Sequence, residues 1–132
     1  MRLLAPVMAL LLLLSGCGGD EGKGRLDGSW TGVLATSAKN DRPGVERVEL
    51  SVFGKEMTGS DGCSMIKTNA EITDGRLVVS NWVEPDRCSG YQGKVQSFVH
   101  DMLKSEPEVQ FSDKGQTMKL VGEPGELTLK RR

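Results

Sequence analysis

Met57-Thr58-Gly59-Ser60-Asp61-Gly62-Cys63-Ser64 is the stretch around which this chain organises itself. Glycines on both sides of Ser60-Asp61 let the backbone turn tightly, or take a positive φ, without a Cβ penalty. A cysteine follows the turn directly. Upstream, Val48, Leu50 and Val52 alternate with Arg47, Glu49 and Ser51. That period of two predicts a half-buried antiparallel strand over residues 45–52. Downstream, residues 67–72 read as a weaker strand, so the glycine-cysteine turn sits inside a run of short strands.

Working outward, Leu26-Asp27-Gly28-Ser29-Trp30 opens the fold, and residues 30–33 suit a first strand that ends before a loop at 37–44. Phe53-Gly54-Lys55-Glu56 is a turn, and Asp74-Gly75 is a hairpin signal. Leu77-Val78-Val79 to Val83 follows as the strongest strand, expected to be well buried. Residues 84–90 form a loop. Val95, Phe98, Val99 and Met102 then recur at helical spacing, which predicts one amphipathic helix over residues 92–104, ended before Pro107. Strands at 108–112, 117–121 and 126–130, separated by glycine-containing turns, close the chain. Five strands, one helix and three strands predict an α+β fold: a small antiparallel sheet curled into an open barrel, with the helix over an end or face.

The first sixteen residues do not belong to that domain. Met1-Arg2 is a short positive start, and residues 3–14 are apolar apart from Pro6. The run is too short to span a bilayer and reads as an export signal. Leu14-Ser15-Gly16-Cys17 resembles the lipobox of bacterial lipoproteins, which implies cleavage before Cys17 and lipid on its sulfur. Residues 17–25 are then a glycine-rich tether and residues 26–132 the domain. Such a tether, about eight residues long, reaches on the order of 15 Å. The expectation is a cell-envelope protein held to a membrane by its N-terminal lipid: the periplasmic face of the outer membrane in a two-membrane cell, otherwise the outer face of the cell membrane. The formal charge of the whole chain is −1, and loss of Arg2 makes it more negative, so nothing suggests nucleic acid. Lys130-Arg131-Arg132 reads as a solvated end.

Three cysteines, one of them lipidated, leave Cys63 and Cys88 in a compartment that permits disulfides. A structural bridge is the favoured reading and a redox pair the alternative, although Cys-x-x-Cys is absent. His100 is the only histidine and reads as a surface residue. Ser60-Asp61 has no base beside it in the sequence and reads as a turn. No catalytic, metal or cofactor site is expected: the Asp74 and Asp113 turns lack the alternating carboxylates of a calcium loop. Trp30 is assigned to the core. Trp82 is open between core and an exposed contact anchor, and so is Tyr91.

The order and residues of the domain resemble the META-domain family of HslJ-like bacterial envelope proteins. Leu26-x-Gly28-x-Trp30, Val48-x-Leu50-x-Val52, Gly59-x-x-Gly62-Cys63, Cys88, the helix pair Phe98 and Met102, Gly115-x-x-Met118-x-Leu120 and Leu127-x-Leu129 carry the likeness. Ser64 and residues 84–87 depart from its usual pattern. The resemblance implies a link to envelope stress. Together with the lack of a catalytic set, it leads us to expect a non-catalytic binding or envelope-maintenance module with an envelope protein as partner. The expected contact surface is the loop carrying Trp82, Glu84, Asp86, Arg87 and Tyr91. Alternatives are inhibition of an envelope hydrolase by that loop, or a small-molecule carrier using the barrel interior.

Overall fold

The strands arise where apolar side chains recur every second residue, and each is cut by a turn the backbone is built to make. The computed structural model describes residues 25–35 and 45–132. The export signal, Cys17, nearly all of the tether and the loop at 37–44 lie outside them. The order is β1 (Gly28–Ala35), β2 (Val45–Phe53), β3 (Glu56–Ser60), β4 (Met65–Thr73), β5 (Arg76–Ser80), α1 (Gly90–Lys104), β6 (Glu108–Ser112), a single 3₁₀ turn (Asp113–Gly115), β7 (Thr117–Gly122) and β8 (Gly125–Arg131).

Each strand pairs antiparallel with the next, and β8 returns to β1 through Gly32↔Leu129 and Trp30↔Arg131. The eight strands form a closed barrel, which corrects the open barrel expected from the sequence. Closure gives every strand a neighbour on both sides, although β5 and β6 share only the pair Arg76↔Glu108. The hairpin β4–β5 is made by Asp74 and Gly75, at φ +52° and +74°, the positive pair that a two-residue twisted turn requires. At Gly59 the demand is spatial instead: a Cβ there would collide with the carbonyl oxygen of Glu49 on β2.

Val48, Leu50 and Val52 all face the interior, as their alternation predicts. They meet Met57, Ile66, Leu77, Met118, Leu120, Leu127 and Leu129, which fill the barrel. Trp30 is completely buried; its indole N–H donates to the Leu26 carbonyl at 2.8 Å. Arg131 lies over the Trp30 ring at 4.3 Å, and its guanidinium donates to the carbonyls of Arg25 and Asp27. The C-terminal Lys130-Arg131-Arg132 is thus not simply a solvated end: a cation packs on an aromatic face and fastens the start of the domain.

β5 is the other correction. It ends at Ser80, because Asn81 takes φ +53° and turns the chain out of the sheet. Of its apolar run only Leu77 is fully buried, and Val83 is 52 % exposed. The helix begins two residues before its expected start, at Gly90, and presents Val95, Val99, Met102 and Leu103 to the core. Among the described residues no helix is long and apolar enough to cross a membrane.

In an up-and-down barrel the connections alternate between two ends. One end holds the β3–β4 turn, the β5–α1–β6 crossover and the β7–β8 turn. The other holds the turns β2–β3, β4–β5 and β6–β7 with the start of β1 and the end of β8. The helix and the start of the first strand therefore lie at opposite ends.

Candidate functional site

At the helix end, three polar residues of α1 recur every four positions: Gln96, His100 and Lys104. Side chains at that spacing lie above one another on a single helical face. This stripe borders the apolar one and grips the two loops beside it.

The β3–β4 turn supplies a carboxylate. Asp61 is 1 % exposed and accepts four hydrogen bonds. Its Oδ1 takes the backbone N–H groups of Cys63 at 2.9 Å and Ser64 at 2.6 Å, and its Oδ2 takes the Ser64 hydroxyl at 2.5 Å and Nε2 of His100 at 2.8 Å. Burial by itself raises a carboxylate's pKa. Here the bonds from the Ser64 side chain, the Ser64 and Cys63 amides and His100 outweigh it and hold Asp61 below its ordinary value. His100 is 8 % exposed rather than on the surface, and Asp61 does have an imidazole beside it. Both readings from the sequence are corrected together. The partners stand 39 positions apart, and the packing of α1 beside the β3–β4 turn brings them into contact.

Gln96, also buried, holds the second loop. Its Oε1 accepts the Cys88 amide at 2.9 Å; its Nε2 donates to the Asp86 carbonyl at 2.9 Å and the Ser64 hydroxyl at 3.0 Å. The Cys63–Cys88 disulfide joins the two loops, with 6.5 Å between the Cα atoms. Two turns along the helix from Gln96, Lys104 pairs with Glu84 at 2.5 Å and lies 4.7 Å from the centre of the Trp82 ring. That hydrogen bond, more than any other effect, holds the Glu84 carboxyl below its usual pKa.

Trp82 is half-buried. It packs against the core and meets His100 edge-on at 4.9 Å between ring centres. Tyr91 is half-buried on the same core. The expected contact loop thus divides: Trp82 and Tyr91 are its inward struts, while Glu84, Asp86 and Arg87 are exposed. Met65 and Val83, not singled out in the sequence, join Asp86 and Arg87 in a shallow groove beside the disulfide, and both are largely exposed. A second, smaller cleft of about 100 Å³ lies between the loop and α1, lined by Glu84, Arg87, Ser97, His100, Asp101 and Lys104.

The chemistry of this set is that of a clamp. The Ser64 hydroxyl donates to Asp61 and receives Gln96, so it is not set against His100 as a nucleophile is set against its base. Among the described residues, no three side chains of His, Cys, Asp or Glu gather closely enough to hold a metal ion.

No family model matches the chain, and no curated protein matches it in sequence. Two solved structures share its fold. A protein from Burkholderia xenovorans, determined by NMR, is 20 % identical with a TM-score of 0.56, over 81 % of this chain and 83 % of that one. A second protein determined by NMR is 19 % identical with a TM-score of 0.56, over 76 % of this chain and 87 % of the other. At such identities the likeness is one of fold: an antiparallel eight-stranded barrel with one helix.

Proposed function

We propose that the protein is a non-catalytic, lipid-anchored module of the cell envelope, of the META-domain (HslJ-like) kind, that binds an envelope protein through the end carrying residues 81–89. Residues 1–16 are its export signal and Cys17 its lipid site. One observation carries the binding reading. A nine-residue loop without regular structure is fixed at the disulfide, at two Gln96 hydrogen bonds, at the Lys104–Glu84 pair and at Trp82, yet turns Val83, Asp86 and Arg87 outward. A loop so fastened loses little conformational freedom when a partner docks. The carrier alternative, which needs the barrel interior, finds less support, since side chains fill it.

The test is photo-crosslinking in intact cells from Val83 and Asp86, with Thr128 on the exposed face of β8 as the control. One discrete protein adduct from both loop positions, absent at Thr128, is expected. Identical patterns at all three positions, or none at the loop, would refute the docking surface. If the captured partner is a hydrolase that the added domain inhibits, the module is an inhibitor.

A further inference from the structure

From the opposite end of the barrel we infer a second interaction surface, one that lies on the lipid bilayer. This rests on the anchored reading above. The surface is the β2–β3 turn at Phe53 and Lys55, with the cationic chain ends beside it.

The observations are these. Phe53 is 78 % exposed, more than any other large apolar side chain among the described residues. It faces outward because Val52, its neighbour on β2, faces in. β2 pairs with β1 so that Val52 lies opposite Gly28, which puts Phe53 at the strand end where the domain's first residues leave the barrel. Arg25 lies only eight residues beyond Cys17, at most about 29 Å when fully extended. A lipid on Cys17 therefore keeps this end near the headgroups and gives even a weak contact a high effective concentration. Arg25, Lys55, Lys114, Arg131 and Arg132 sit at this end, against Asp27, Glu56, Asp74 and Asp113. Lys55 is paired with Glu71 only at 3.8 Å, both side chains largely in water. Arg131 is engaged by Trp30 and the carbonyls of Arg25 and Asp27, whereas Arg25, Lys55, Lys114 and Arg132 are exposed, Arg132 beside Glu49 at 3.6 Å. Exposed cations at the same end as one aromatic ring fit the headgroup layer of an anionic bilayer, where the ring lies at the acyl boundary and the charges meet phosphates. Because the helix and the start of β1 lie at opposite ends, such seating turns the disulfide-fastened loop away from the membrane, toward whatever it binds.

The experiment uses the full chain, expressed and processed in cells, then reconstituted into vesicles of phosphatidylethanolamine with about one quarter phosphatidylglycerol, with or without brominated acyl chains. The variants are Phe53→Trp and Val83→Trp, both at exposed positions; emission of the parent, from Trp30 and Trp82, is subtracted. Bromine quenching is expected to take about twofold more of the added emission at Phe53 than at Val83. Equal quenching at the two positions, none at either, or more at Val83 overturns the inference. The mass of the N-terminal peptide keeps the two readings apart. Lipid on Cys17 without quenching at Phe53 leaves the anchor standing and removes the orientation, whereas an unlipidated chain removes both.

Discussion

Burying a carboxylate costs several kcal/mol unless donors replace the water it loses. Asp61, almost wholly buried, meets that condition with two amides, one hydroxyl and one imidazole. Truncating it would strand four donors rather than remove one bond, so Asp61→Ala is expected to cost about 3 kcal/mol near neutral pH. The dependence on pH follows from its lowered pKa. The stabilisation is complete above the ordinary carboxylate value and is lost as pH falls through the lower folded value. The gap in urea midpoint between the parent and Asp61→Ala should therefore be widest at pH 6 and close as pH falls toward about 2. A gap that stays constant with pH would mean that the charge of Asp61 contributes nothing. Little of this residue's role was legible in the sequence. Asp61-Gly62 reads as a turn and is one, but the partner that makes it a buried hub comes from a helix 39 positions on. The spacing of Gln96, His100 and Lys104 was the available signal. A polar residue at every fourth position next to an apolar stripe describes an ordinary wet helix face equally well, and only tertiary packing separates the two.

Between elements, the loop at 81–89 is tied to the β3–β4 turn by the disulfide and to α1 by Gln96, and these two contributions separate experimentally. The disulfide spans 25 positions, for which loop-closure entropy gives about 3.5 kcal/mol. The Gln96 side chain binds the same loop without covalent help. Replacing both cysteines by serine should lower stability by about 3 kcal/mol, with the fold kept by the barrel core. Gln96→Ala should cost about 2 kcal/mol and release the Cys88 amide to exchange, because its acceptor is the Gln96 carbonyl. Hydrogen exchange reads this directly: unchanged protection at Cys88 in Gln96→Ala would show that the loop is fixed without Gln96. Elements with a strong period were readable, as β2 and α1 show, because one buried face imposes its rhythm on the residue types. β5 was not. Val78, Val79 and Val83 make a run with no period, and the positive φ of Asn81 that ends the strand leaves no mark that an apolar count can detect.

For the molecule as a whole, closure of the barrel is uneven. β1 and β2 pair across eight positions and β7 with β8 across six, while β5 and β6 share one ladder pair, Arg76↔Glu108. The seam is reinforced by the Leu77 amide to the Pro107 carbonyl at 2.9 Å, by the Val109 amide to the Gly75 carbonyl at 2.8 Å, and by Arg76 bonding the Glu106 carbonyl. The residues on either side of α1 are the ones that meet there, so the seam forms only when helix and crossover are in place. Turn signals and alternation supplied the strands, but none of them encodes whether the last strand returns to the first; that depends on accumulated stagger around the ring, a property of the whole sheet. A closed ring whose bonds are concentrated away from one seam should open there first. Native-state exchange is expected to show the Leu77 and Val109 amides opening about 2 kcal/mol below the global unfolding free energy, with the β2 amides opening only at the global value. Gln96→Ala, which loosens the crossover, should widen that difference by lowering the seam further. If Leu77 and Val109 exchange only with global unfolding, the seam is as cooperative as the rest of the barrel, and the helix end is rigid enough to present its loop in a single shape.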